Sequence, residues 1–153
     1  MIYDSKTNIV FWDELLKIPE FKALSETPQN ILWHKEGDAF THTCMVTKCM
    51  LKHIENSNEV LFQDMDYRNI LIFAALLHDI GKPVTTKKGE DGLYHCKDHA
   101  IKGVPIAEHI LDVYVSDIKP QYKRAILSLV RCHMQPLYIL KQRDIKSAIL
   151  RLV

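Results

Sequence analysis

Eight apolar residues in a row, Ile70 to Leu77 (ILIFAALL), run directly into a histidine and an aspartate, His78 and Asp79. A helix that is apolar around its whole circumference can leave no side in water, so this stretch belongs at the centre of a bundle. Two polar side chains at the end of such a helix cost several kcal/mol if they are buried without partners. Adjacent helical residues point about 100° apart, so both can reach one cation only if it lies beyond the helix end. Gly81 and Pro83 supply that end: glycine suits a left-handed C-terminal cap, and proline blocks continuation.

The rest of the chain reads as helices packed around this centre. The 153 residues, 47% of them hydrophobic, suffice for one core and not for two, so residues 1–153 are expected to form a single domain. Residues 1–30 give a lead-in with a short helix, Phe11 to Ile18, stopped by Pro19; Pro28 and Asn30 mark the turn that follows. From Ala39 to Ile54, His42, Met45, Val46, Cys49 and Met50 share one helical face. Residues 84–96, rich in Lys, Gly and Thr, form a loop with room for a small hairpin turning at Glu90-Asp91-Gly92. Helices follow over Asp98 to Tyr114, with Ile101, Val104, Ile110 and Leu111 inward, and over Gln121 to Cys132, with Ala125, Ile126, Leu129 and Val130 inward. A last helix starts near Asp144 and meets no stop signal before Val153. The expected class is all-α, a helical bundle around a buried central helix.

Charge and cysteine usage exclude more than they assign. The formal charge of +1 forces no nucleic-acid or membrane partner. Cys44, Cys49, Cys96 and Cys132 show no CxxC spacing and read as small core hydrophobes of a reducing compartment. No secretory leader and no membrane-length apolar run is present, which makes a cytoplasmic protein the expectation.

Beyond the His78–Asp79 pair, three histidines stand where a purely packing or solvated role is awkward: His42, His99 and His133. Any one of them alone is more often a satisfied core or surface histidine. For the central pair, the plain structural alternative is an aspartate that braces the histidine ring.

The set, in its order, resembles the HD superfamily of metal-dependent phosphohydrolases, named for an adjacent His-Asp pair. The matching stations are His42 in FTHT, His78-Asp79 in LLHDIGK, His99 with Gly103 in KDHAIKG, and His133 in LVRCHMQP, spread from Thr27 to Pro136. The longer stretch TPQNILWHKEGDAFTHT is similar to the entrance of HD domains in tRNA nucleotidyltransferases and in bacterial RNA-end-healing enzymes that join an HD phosphatase to a polynucleotide kinase.

The resemblance implies one or two divalent ions held by His42, His78 and Asp79, with His99 and His133 as ligands of a second ion. It makes Asp79 and Lys82 catalytic, with Lys82 on a phosphate oxygen. Histidine and carboxylate ligation suits manganese, nickel, iron, zinc or magnesium, and the absence of a thiolate cluster argues against structural zinc. The family closes its site with a further aspartate on a later helix; past His133 the chain offers only Asp144, which reads first as a helix N-cap and second as a further metal ligand. A chain that ends before the last ligand would be an N-terminal portion of a longer protein, with a C-terminal segment or domain still to come.

The substrates implied are phosphomonoesters or cyclic phosphodiesters of nucleotides or RNA ends: 2′,3′-cyclic phosphates, 2′-phosphates or 3′-phosphates. Trp33 and His34 stand ready to stack on a base, although a tryptophan is more often core, and Arg131, Lys87 or Lys88 could assist Lys82. Loop lysines such as the last two are more often simply hydrated. A competing reading is a catalytically incomplete module that binds nucleotide or metal and serves a fused or partner enzyme. A plainer one is a helical scaffold with structural histidines. Oligomeric state stays open.

Overall fold

The computed structural model describes residues 2–115 and 118–140, and the expectations placed on Asp144 and on a last helix lie outside them. It is helical almost throughout. A hairpin of β1 (Tyr3–Asp4) and β2 (Ile9–Val10) leads into α1 (Trp12–Leu15) and α2 (Pro19–Ser25). Then come α3 (Ala39–Asn56), a 3-10 turn (Val60–Gln63), α4 (Met65–Leu77) and α5 (Lys82–Thr85). A second hairpin, β3 (Lys87–Lys88) with β4 (Tyr94–His95), precedes α6 (His99–Tyr114), α7 (Pro120–Cys132) and α8 (Gln135–Leu140). No helix among the described residues is long and apolar enough to cross a membrane.

The apolar run sits where its composition demands. Helix α4 packs between α3 and α7, α6 packs on α7, and Ile72, Leu76 and Leu77 are fully buried. Asp64 starts α4 earlier than the apolar run suggests, its carboxylate accepting from the Asp66 and Tyr67 amides. Helix α3 is capped the same way by Asp38, which accepts from the Thr41 amide at 2.8 Å.

Several local expectations are corrected. Pro19 does not stop the first helix; it opens a second, because proline at a first helical position lacks only an amide hydrogen that would have no partner there. The N-terminal hairpin was not expected. The inner face of α3 is built from Ala39, Thr43, Thr47 and Ile54, whereas Met45 and Cys49 are exposed. The threonines can be inside because a hydroxyl can bond back along the helix, as Thr43 Oγ1 does to the Ala39 carbonyl at 2.9 Å. Ile101 and Leu129 likewise face outward; Ala100, Gly103 and Ala107 are buried in α6 beside the expected Ile110 and Leu111, and in α7 Ile126 and Val130 are buried as expected. None of the cysteines belongs to the core: Cys49 and Cys132 are exposed, Cys44 and Cys96 half-buried, and all are free thiols.

The end of α4 differs most from expectation. Gly81 is not left-handed, with φ −84°, and Pro83 lies in the first turn of α5. Glycine is needed there for a different reason. A Cβ on Gly81 would stand 2.2 Å from the His99 carbonyl oxygen and 2.6 Å from the Gly103 amide nitrogen. The α4–α5 corner therefore touches the backbone of α6 directly, which brings His99 up to Asp79.

Candidate metal centre

Asp79 is the hub. It is only 2% exposed, and its two oxygens face different partners. On one side, Oδ2 lies 3.1 Å from His78 Nε2, 3.7 Å from His42 Nε2 and 2.8 Å from Lys82 Nζ. On the other, Oδ1 lies 3.2 Å from His99 Nε2 and 3.7 Å from His133 Nε2. His42, His78 and Asp79 form one group whose ligand atoms lie within 4.8 Å of one another; Asp79, His99 and His133 form a second. The sequence-derived set, His42, His78, Asp79, His99 and His133, is brought together completely.

The ring orientations follow from where each histidine sits on its helix. His78 and His133 cap the C-termini of α4 and α7, where the last carbonyls lack intrahelical partners. Their Nδ1–H groups donate to the carbonyls of Ala75 at 2.9 Å and Val130 at 2.7 Å. His99 opens α6, and its Nδ1–H donates at 2.7 Å to the carbonyl of Cys96, which precedes the helix. Asp98, left-handed at φ 61°, turns the chain into position for this. His42 Nδ1 bonds the Glu36 carboxylate at 2.6 Å. All four rings thus use Nδ1 on an acceptor and turn Nε2 inward.

Nitrogens so turned repel one another and a carboxylate unless a positive species stands between them. His99 Nε2 and His133 Nε2 lie 3.0 Å apart, so one must carry a proton. Burial works against charge on His99, but its bonds to Asp79 and Cys96 outweigh this and raise its pKa to about 10. Burial pushes the neighbouring His133 down to about 4. Burial also lowers His42, despite the pull of Asp79. Asp79 is driven up by burial, yet His78, His99 and Lys82 hold it well below the ordinary carboxylate range. Its Oδ2 nonetheless receives no well-aimed hydrogen bond, although Lys82 Nζ is 2.8 Å away. A buried oxygen without an aimed donor, amid converging imidazole nitrogens, fits a divalent cation of the nitrogen- and oxygen-loving kind.

Lys82 is itself buried and divides its ammonium between Asp79 and Gln29 Oε1. Beyond it opens a groove of about 600 Å³, lined in part by Trp33, His34, Lys82, Tyr94, His99 and Arg131. Trp33 is 81% exposed at the groove rim, so the packing role more usual for tryptophan is not its role here. Lys87 and Lys88 are exposed on β3 and do not line the groove.

Two residues that face the centre escaped the sequence reading. Gln29, buried, accepts from Lys82 and donates through Nε2 to the Asp38 carbonyl at 3.0 Å. Glu36 accepts from both His42 and His34, the latter at 3.0 Å. Burial raises its carboxyl, but its hydrogen bonds, including those from both histidines, win and hold it at about 2. The sequence signal for Glu36 was its place between two histidines in HKEGDAFTH; Gln29 carried none.

A bundle that gathers four imidazoles on a carboxylate at the end of its most apolar helix defines a helical domain with a candidate cation site. The chain belongs to the HD domain family, whose model matches residues 39–152. Among curated relatives, a dihydroneopterin 2′,3′-cyclic phosphate phosphodiesterase of Methanocaldococcus jannaschii is 39% identical over 74 residues, covering 47% of this chain and 29% of the relative. A multifunctional CCA protein of Actinobacillus pleuropneumoniae is 36% identical over 95 residues, covering 60% of this chain and 20% of the relative. That of Shewanella frigidimarina is 32% identical over 113 residues, covering 69% and 24%. The chain thus spans less than a third of the length of these relatives. No solved structure matches it significantly.

Proposed function

We propose that this chain is a metal-dependent phosphohydrolase that cleaves phosphomonoesters or cyclic phosphodiesters of nucleotides or RNA ends. The observation that carries the reading is the division of Asp79, each oxygen turned to its own pair of imidazole nitrogens beside an open groove. His42 and His78 would hold a divalent cation on the Oδ2 side, His99 and His133 one on the Oδ1 side, with Asp79 shared. When bound, such a cation supplies Lewis acidity toward a phosphoryl oxygen and lowers the pKa of its water toward about 7.

The chain's own groups do the rest. Lys82 donates one of its three N–H groups to Gln29 and pairs with Asp79 by charge, leaving donor capacity for a phosphoryl oxygen entering from the groove. Trp33, His34 and Tyr94 offer ring faces to a base, and Arg131 a second cation. The relative named for a 2′,3′-cyclic phosphate supports cyclic phosphodiesters as the first substrate to try.

With saturating manganese, the protein is expected to turn over bis-p-nitrophenyl phosphate and 2′,3′-cyclic AMP, and His78→Ala and Asp79→Ala to lose both activities. Turnover that survives both substitutions refutes this site. Tight manganese binding without turnover of any phosphoester favours the metal-binding module that serves another enzyme.

A further inference from the structure

We propose that Glu36 is a positioning residue of the cation centre: its carboxylate fixes the His42 ring through Nδ1 so that Nε2 faces Asp79, and the same oxygen orients His34 at the groove wall. The inference rests on the reading of His42 as a ligand.

The reason lies in helix geometry. His78, His99 and His133 sit at helix ends, where the carbonyl three residues back accepts from Nδ1. His42 sits inside the first turn of α3, and the corresponding carbonyl, that of Ala39, already serves the helix and the Thr43 hydroxyl. A ring in that position can be oriented only by a group from elsewhere. Glu36 Oε1 supplies it at 2.6 Å, with its side chain 15% exposed. A carboxylate behind a metal-ligating histidine fixes its tautomer and makes it a stronger donor than a carbonyl does.

The loop carrying Glu36 is built to stay in place. Gly37 takes φ 102°, a conformation that side chains resist, and its carbonyl accepts from the Gln29 amide at 3.1 Å. The Ala39 amide donates to the Thr27 carbonyl at 3.0 Å, and Pro28 and Asp38 form an antiparallel bridge. The same oxygen holds His34 at 3.0 Å, whose ring meets that of His42 edge-on with centroids 4.6 Å apart. His34, Glu36 and His42 also group as a further set of metal-type ligands. Both rings, however, already bond the carboxylate through Nδ1, which favours a hydrogen-bonded triad over another cation.

The test is manganese titration of the purified chain and its Glu36→Ala, Glu36→Gln, His34→Ala and His42→Ala variants, with imidazole nitrogen NMR of the metal-free wild type. Glu36→Ala is expected to weaken one manganese equivalent by about 10–100-fold and leave the other unchanged, with Glu36→Gln intermediate. His34→Ala should leave both equivalents intact, and metal-free His42 should carry its proton on Nδ1. The inference is overturned if Glu36→Ala, or Glu36→Gln should the alanine variant not fold, binds both equivalents like the wild type while His42→Ala loses one. It is overturned as well if metal-free His42 carries its proton on Nε2, or if wild type binds a further equivalent that His34→Ala removes. Wild-type binding in His42→Ala would instead sink the reading of the centre on which this inference stands.

Discussion

The two sides of Asp79 solve the same electrostatic problem differently. On the Oδ2 side a fixed ammonium, Lys82, lies 2.8 Å from the oxygen, and one of the two rings is steered by a side chain, Glu36. On the Oδ1 side both rings are steered by backbone carbonyls, and among the described residues the positive charge is a proton on the His99–His133 pair. Lysine cannot leave its side, whereas a proton can. The difference teaches that, in the proposed centre, a cation at Oδ1 would exchange with a proton, and one at Oδ2 would have to coexist with Lys82.

The bluntest way to break this comparison is to remove one ring from each side. His78→Ala and His133→Ala should each release one manganese equivalent and lower phosphodiesterase turnover roughly a thousandfold, the equivalent of about 4 kcal/mol of lost transition-state stabilisation. Metal analysis that finds both variants missing the same equivalent would merge the two sides into one.

Gly81→Ala sharpens it structurally. The new Cβ meets backbone 2.2 Å away, so α6 has to retreat and take His99 with it. Urea denaturation should show a loss of about 1–3 kcal/mol, and the Oδ1-side equivalent should weaken more than the other.

Acidity separates the sides next. Because His99 is held protonated up to about pH 10, a cation at Oδ1 displaces one proton, and its affinity should rise about tenfold per pH unit below that value. Without metal the sign reverses. A raised histidine stabilises the fold fully below its ordinary value of 6.5 and loses that contribution as pH climbs through about 10, so the metal-free melting temperature should fall over that window. On the Oδ2 side burial lowers His42 below 6.5, leaving it neutral at pH 7 with no proton to displace, and manganese binding there should vary less with pH. Calorimetric titrations in buffers of different ionisation enthalpy count the protons released.

The mildest test concerns the groove. Trp33→Ala should raise KM for 2′,3′-cyclic AMP about fivefold or more, the equivalent of roughly 1 kcal/mol of base stacking, while leaving bis-p-nitrophenyl phosphate nearly unaffected. Equal effects on both substrates would remove the base from the groove.

The parts legible in the sequence were those where chemistry and periodicity coincide. An all-apolar stretch ending in His78–Asp79 has few places to go, and His42, His99 and His133 gather around its end. The 84–96 hairpin was signalled by its turn residues. What stayed hidden depended on partners far along the chain. Gly81 looked like a helix cap because its contact, the backbone of α6, is invisible to local pattern. The face of α3 differs because the small Thr43 and Thr47 are buried where larger residues were expected, while Met45 is exposed. Gln29 acquires meaning only through Lys82, 53 residues away.

The abutting backbones of Gly81 and Gly103 carry a consequence for how such a domain can diversify. They act as a gauge: the spacing between the two halves of the centre is set by main chain against main chain, not by the length of chain running from Thr86 to Lys97. That connecting stretch supplies Tyr94, His95 and Lys97 to the groove, and changes in it ahead of Cys96 are expected to leave the 3.2 Å from His99 to Asp79 in place. Under the proposed activity, recognition of the organic part of a substrate and the contacts to its phosphate would thereby be free to evolve apart.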